Sequence, residues 1–239
     1  TKNGEETHYF FNGKVKAKYH FKNGKLNGTQ QEFHLNNRTK SFTEYNDGVL
    51  NGKNYHVKLN GDSVISETFK NGIANGMQKS WYPNGAKEYE GVMNLGKKSG
   101  LWNFYYPNGQ LQNQAFYDNG IKTGEWKFYD LEGNLMRKGN YVNDEKEGTW
   151  IQNFKNGNIA QKVNYSNGLE HGLWQTWYEN GKVFTKGQYD QGNMTGEWIT
   201  NYENGSKRVT CTYLNNLKEG TETLYTETGK VIEITNFFY

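Results

Sequence analysis

The chain has 239 residues, with 28 Lys and Arg against 25 Asp and Glu, a net charge of +3 and a mean hydropathy of -1.03. So small a charge, spread without long like-charged runs, excludes a field strong enough to steer nucleic acid or an anionic membrane to the surface. Aromatics make up 16% of the residues and all hydrophobic residues only 33%, which suits a thin sheet better than an aliphatic globular core.

In chain order the first regularity is a glycine every 24 residues: Gly4, Gly28, Gly52, Gly76, Gly100, Gly124, Gly148, Gly172, Gly196 and Gly220. Ten copies in one register, without insertion or deletion, mark a repeat architecture. A second glycine follows each anchor by nine positions, as at Gly13, Gly61, Gly85 and Gly109, with Asn37 as the exception. A third precedes each anchor by four, as at Gly24, Gly48 and Gly120, with Asp144 and Asn216 as exceptions. Asn and Asp are the residues that best tolerate left-handed backbone angles, so these points call for positive φ.

Two strand-length runs lie between the turns in each copy. The first follows the anchor, as in Leu101 to Tyr106 or Leu173 to Tyr178; the second follows an Asn-Gly turn, as in Leu111 to Tyr117 or Val183 to Tyr189. Aromatic and β-branched runs bounded by Asn, Gly and Asp read as strands, and Asn-Gly between them as a hairpin. Pro83 and Pro107 both enter such turns, and no apolar pattern of helical period occurs. The expected fold is all-β, an elongated single-layer antiparallel β-meander or solenoid of about ten 24-residue hairpin repeats. It forms one continuous repeat domain over residues 1–239, with copies 1–75 divergent, 76–220 most regular and 221–239 a terminal capping hairpin. The glycines Gly28, Gly52, Gly76, Gly100, Gly124, Gly148, Gly172, Gly196 and Gly220 are expected to be turn glycines.

The pattern of an aromatic, two residues, Gly, three residues and Gly, as in Tyr189 to Gly196 and Trp198 or Tyr117 through Gly124 to Trp126, resembles MORN-type repeats. The Gly-x-Trp-x-x-Tyr-Tyr-x-Asn-Gly form resembles the bacterial variant found in proteins labelled YwqK-family antitoxins. The resemblance covers essentially the whole chain. It implies a β-meander used for protein contacts, with lipid contacts also proposed for the family, and an antitoxin or immunity role as a narrower possibility. Gln30, Asn54 and Gln78 depart from it where Trp102, Trp126, Trp150, Trp174 and Trp198 stand later.

Tests for chemistry return no catalytic, metal or cofactor assignment. His8 and His56 share a phase but lie two repeats apart, too far to converge on one ion. Glu170-His171 reads as a solvated loop pair beside Gly172, and Cys211 as a packing residue at a phase shared with Gly91, Ala115, Gly139 and Gly187. No phosphate loop or nucleophile elbow is present.

The aromatic rows are the candidates for function. Trp102, Trp126, Trp150, Trp174 and Trp198 should form a structural ladder with about 10 Å per repeat. Phe33, Trp81, Tyr105, Tyr129, Trp177 and Tyr225 should point to the opposite face. A single-layer sheet cannot bury both faces, so this second row is the candidate partner-binding surface. The function read here is a non-enzymatic protein-binding scaffold acting through a sheet face or through its terminal strand Val231 to Tyr239. The alternatives are an antitoxin, or binding of a glycan, choline or lipid headgroup on the aromatic ladder. Another protein is the expected partner, with no nucleic acid and no transmembrane segment, and the register leaves no insertion large enough for a pocket. Composition, together with the lack of an initiator Met, points to a bacterial envelope or exported protein.

Overall fold

A computed structural model describes residues 1–238. The chain is all-β, and no helix occurs among the described residues. It divides into two compact units, Thr1–Ile121 and Lys122 onward. The first unit contains β1 (Gly4–Tyr9), β2 (Val15–Lys22), β3 (Lys25–Leu26), β4 (Gly28–Phe33), β5 (Thr39–Asn46), β6 (Val49–Val57), β7 (Ser63–Lys70), β8 (Ile73–Ala74), β9 (Gly76–Trp81), β10 (Lys87–Asn94), β11 (Lys97–Tyr105) and β12 (Leu111–Asp118). The second contains β13 (Ile121–Tyr129), β14 (Leu135–Val142), β15 (Glu145–Asn153), β16 (Ile159–Ser166), β17 (Leu169–Trp177), β18 (Val183–Asp190), β19 (Asn193–Asn201), β20 (Lys207–Leu214), β21 (Leu217–Tyr225) and β22 (Val231–Phe237). Within each unit, strands close in sequence pair antiparallel, which makes a meander. Tyr239, the last residue of the terminal hairpin expected from the sequence, lies outside the described residues.

Two turn types alternate. At Asn119-Gly120 both residues have positive φ, 51° and 86°, the condition for a type I′ turn, whose twist matches that of the flanking strands. The Gly120 amide donates to Lys98 O at 2.8 Å, and Gly192 to Glu170 O at 2.8 Å, so each such turn is tied to the preceding repeat. At the other end Gly109, φ 87°, donates to Tyr106 O, while the Tyr106 amide donates to Gln110 O. That pattern closes a three-residue loop of the bulged-turn type.

The anchor glycines are not turn residues, which corrects the sequence expectation. Gly52, Gly100, Gly124, Gly148, Gly172, Gly196 and Gly220 lie inside strands, and Gly28 and Gly76 open β4 and β9. The first strand of a regular repeat accordingly starts before the anchor, at Lys97 rather than Leu101. Glu90 faces Asn103 and Val92 faces Ser99, so Gly100, Leu101 and Trp102 stand opposite the single residue Gly91. This is a β-bulge, and φ of 68° at Gly100 accommodates it without a Cβ penalty. Gly148-Thr149-Trp150 against Gly139 and Gly196-Glu197-Trp198 against Gly187 repeat it.

The bulge positions the core. Trp102, Trp150 and Trp198 are buried, and a Cβ on Gly91, Gly139 or Gly187 would stand within 2.2 Å of the respective indole. Each ring therefore lies flat on bare backbone of the neighbouring strand. Trp126 and Ala115 are also buried.

Candidate functional site

The tryptophan face is built from hydrogen-bonded rings. Trp102 Nε1 donates to Val92 O at 3.1 Å and Trp150 Nε1 to Asn140 O at 3.0 Å. In the divergent copies a glutamine does the same work. Gln30 Nε2 donates to His20 O at 3.1 Å while its Oε1 accepts from the His20 amide at 2.9 Å, and Gln78 Nε2 donates to Thr68 O at 3.0 Å. Gln30 and Gln78 are buried, and in the sequence Tyr19 and Glu67 stand where Gly91 stands for Trp102. A side chain as large as Tyr or Glu in that seat goes with an amide, whereas the buried indoles stand over glycine or, for Trp126, over Ala115.

Trp174 departs from its row. The bulge is shifted, so that Val163 faces Trp174 directly and His171, Gly172 and Leu173 stand opposite Asn164. With a valine in the seat, Trp174 is only half-buried, and its ring centroid stands 5.4 Å from that of Trp198 rather than a full repeat spacing away. Glu170 and His171 lie within β17, not in a loop as their neighbourhood in the sequence indicated. The ring of Tyr189 also stands 5.4 Å from Trp198. Cys211 is buried, and burial pushes its thiol up.

The opposite face carries Phe33, Trp81, Tyr105, Tyr129, Trp177 and Tyr225, all half-buried. Tyr105 is held by polar contacts: its hydroxyl donates to Glu90 Oε1 at 2.8 Å, and the Tyr82 hydroxyl donates to Tyr105 O at 2.9 Å. Burial, then the Glu90 contact, pushes the Tyr105 hydroxyl up to about 12. Lys87 and Tyr105 hold the Glu90 carboxyl below the usual carboxylate range. In the next copies the same carbonyl position accepts from Tyr178 and Tyr202, and His34 Nε2 donates likewise to Val57 O at 2.9 Å. Tyr105 is thus tied into the sheet by its hydroxyl and its carbonyl, and Tyr225 by its carbonyl.

Exposed apolar side chains on this face occur at positions that the sequence reading passed over. Val92 faces Met77 and Leu101 faces Phe116 across adjacent strands of the first unit, with exposures of 39%, 46%, 39% and 40%. Elsewhere the same pair of positions is polar on at least one side: Thr149 Oγ1 hydrogen-bonds Asn164 Oδ1 at 2.6 Å, and Thr221 does so with Asn236 at 3.0 Å. Comparing these two phases across the ten copies is the sequence signal that finds the patch.

The register carries no insertion, yet shallow grooves open on the first unit. One of about 340 Å³ is lined by Phe10, Tyr19, Glu32, Phe33 and His34. Another, of about 330 Å³, is lined by Tyr89, Met93, Lys98, Trp102 and Phe104. Both come from side-chain relief rather than an insertion. No three His, Cys, Asp or Glu side chains among the described residues are placed to hold a metal ion. Among the described residues no helix is long and apolar enough to cross a membrane.

The MORN repeat variant model matches residues 2–23, 98–119, 122–143, 146–167, 170–191, 194–215 and 218–238, more than half of the chain. The chain belongs to this family. The unmatched stretch holds the copies with Gln30, Asn54 and Gln78. No curated protein matches the chain. Among solved structures it is similar to the wild-type TCP10 domain of Danio rerio CPAP in complex with a peptide of Danio rerio STIL. The identity is 15%, over 98% of this chain and 100% of that one, with a TM-score of 0.35. A second likeness is to a structure of TcdB2-TccC3-Cdc42, with 12% identity over 93% of this chain and 14% of that one and a TM-score of 0.25.

Proposed function

We propose that the chain is a non-enzymatic scaffold that docks another protein on the face opposite the tryptophans, at Met77, Val92, Leu101 and Phe116. One observation carries this reading: two adjacent cross-strand pairs are apolar and exposed where the other copies hold at least one polar residue. A repeat protein keeps its fold with polar residues at these positions, so the apolar set answers to something outside the sheet. Trp81 and Tyr105, from the row singled out in the sequence, share this face and supply half-buried aromatic rings suited to an interface. The exposed Val231, Ile232 and Ile234 of β22 are a lesser candidate, because they form no such internal contrast.

Replacing Met77 and Leu101 by Thr and Val92 and Phe116 by Asn installs the residues of other copies. The variant should remain folded by circular dichroism and lose a partner that the wild type retains on purification from its source cells. If both proteins retain the same partner equally, the patch is not the docking surface. The antitoxin role is a narrower form of the same reading, tested by whether co-expression relieves the toxicity of a neighbouring gene product.

A further inference from the structure

Two positions before the anchor glycine, five repeats carry lysine: Lys2, Lys98, Lys122, Lys146 and Lys218. Each lays its ammonium over rings of its own repeat. Lys98 Nζ stands 4.7 Å from the Trp102 and Phe104 centroids and 5.0 Å from Tyr117. Lys122 stands 5.5 Å from Trp126 and 5.2 Å from Tyr141, and Lys146 stands 5.2 Å from Trp150 and 4.5 Å from Tyr165. Lys2 and Lys218 cover Phe21 and Phe237 in the same way. These are cation–π cages filled from within the chain.

Four other repeats place an apolar residue there, Leu26, Leu50, Ala74 and Met194. The remaining one reverses the charge with Glu170. Its rings are still present at the same two phases: Trp174 and Tyr189 stand in sequence where Trp102 and Tyr117 stand around Lys98, and both are half-buried, with the Trp174 ring drawn toward Trp198 by the shifted bulge. Each stands with its centroid 5.4 Å from the buried Trp198, whose indole N–H donates to no group. We propose that Glu170, Trp174 and Tyr189 form a receptor for a lysine side chain of a partner protein, the rings facing the ammonium and the carboxylate supplying the countercharge. The other copies supply the argument for this occupant, because they show a lysine ammonium seated over a Trp and a Tyr at these two phases.

The charges around the site agree. Burial, and after it the charge of Glu170 and its hydrogen bond with the Tyr165 hydroxyl, pushes up Tyr165, and burial with the Glu170 charge pushes up Tyr189, so the carboxylate is anchored beside both rings. Lys146, one repeat earlier, is engaged over Trp150 and Tyr165, with Nζ 3.3 Å from the Tyr165 hydroxyl. Met194, one repeat later, adds no charge.

This inference rests on reading the chain as a protein-binding surface, but its test needs no natural partner. Acetyl-Gly-Lys-Gly-amide and its norleucine counterpart are titrated into the full chain while the indole N–H signals of Trp174 and Trp198 are followed by NMR. The lysine peptide should give a saturable shift in the millimolar range and the norleucine peptide none. Glu170→Lys installs the residue of five other copies, so the fold should hold, and it should weaken the peptide about tenfold or more by filling the cage from within. No saturable shift, an equal response to norleucine, or undiminished binding by Glu170→Lys would overturn the proposal. So would binding of phosphatidylcholine vesicles without any response to the lysine peptide. Failure here leaves the Leu101 patch standing, and failure of the patch leaves this titration intact.

Discussion

The indole of Trp102 occupies the space that a side chain on Gly91 would need, since a Cβ there would stand 2.2 Å from ring carbon Cδ2. The two residues are eleven apart in sequence and on adjacent strands, joined by the bulge at Gly100. That pairing explains why the copies are not interchangeable. Trp sits with Gly at 102 and 91, 150 and 139, and 198 and 187, and with the small Ala115 at 126, whereas Gln78 goes with Glu67 and Gln30 with Tyr19.

Gly91→Ala should therefore destabilise the chain by about 1–3 kcal/mol, the usual cost of overpacking. Gly91→Glu should be worse alone but largely rescued by Trp102→Gln, which recreates the Glu67 and Gln78 combination. Urea denaturation of both single variants and the double variant measures the coupling, and additive costs would show that the seat is not shared.

Gln30→Leu removes both hydrogen bonds to His20 while keeping an apolar side chain of similar size. Leaving that amide and carbonyl short of partners should cost about 1–3 kcal/mol. Gln30→Trp should not restore stability, because Tyr19 fills the seat that the indole needs.

Leu95 holds φ of 47° in a two-residue turn where Asn23, Asn71 and Asn119 hold 52°, 52° and 51°. Leucine is strained there, and Leu95→Asn should raise stability by about 1 kcal/mol. Thermal melts suffice to check it.

The Tyr105 hydroxyl, pushed up to about 12, gives a sign for pH dependence. The folded chain keeps this proton above pH 10, where the unfolded chain begins to release it. Its stabilising contribution is thus complete below about pH 10 and is lost as pH rises from about 10 to 12. Tyr105→Phe should flatten that part of the stability curve. In tyrosinate absorbance titrations of the wild type, Tyr105 should ionise near the end.

The glycine period, the positive-φ turns and the all-β class were legible because backbone sterics write themselves into residue choice at fixed spacing. Asn37, Asp144 and Asn216, standing for glycine, carried that information. The role of the anchor glycines was not legible, since a glycine that ends a strand and one that bulges it look alike. Nor was the shifted bulge that sets Trp174 directly opposite Val163 across the sheet. The candidate patch was half-visible: its face followed from alternation, but attention to aromatics passed over Met77, Val92 and Leu101. Their significance lies in contrast with Thr149, Glu197 and Asn164 at the same phases.

The central claim is that the exposed apolar pairs of the first unit contact another protein. Its most direct test places the photo-crosslinker p-benzoylphenylalanine at position 101, or at the same phase at position 197, in the source cells. A discrete partner should crosslink from 101 and not from 197, and Phe116→Asn should abolish the product. Equal products from both positions, or none from 101, would contradict the claim.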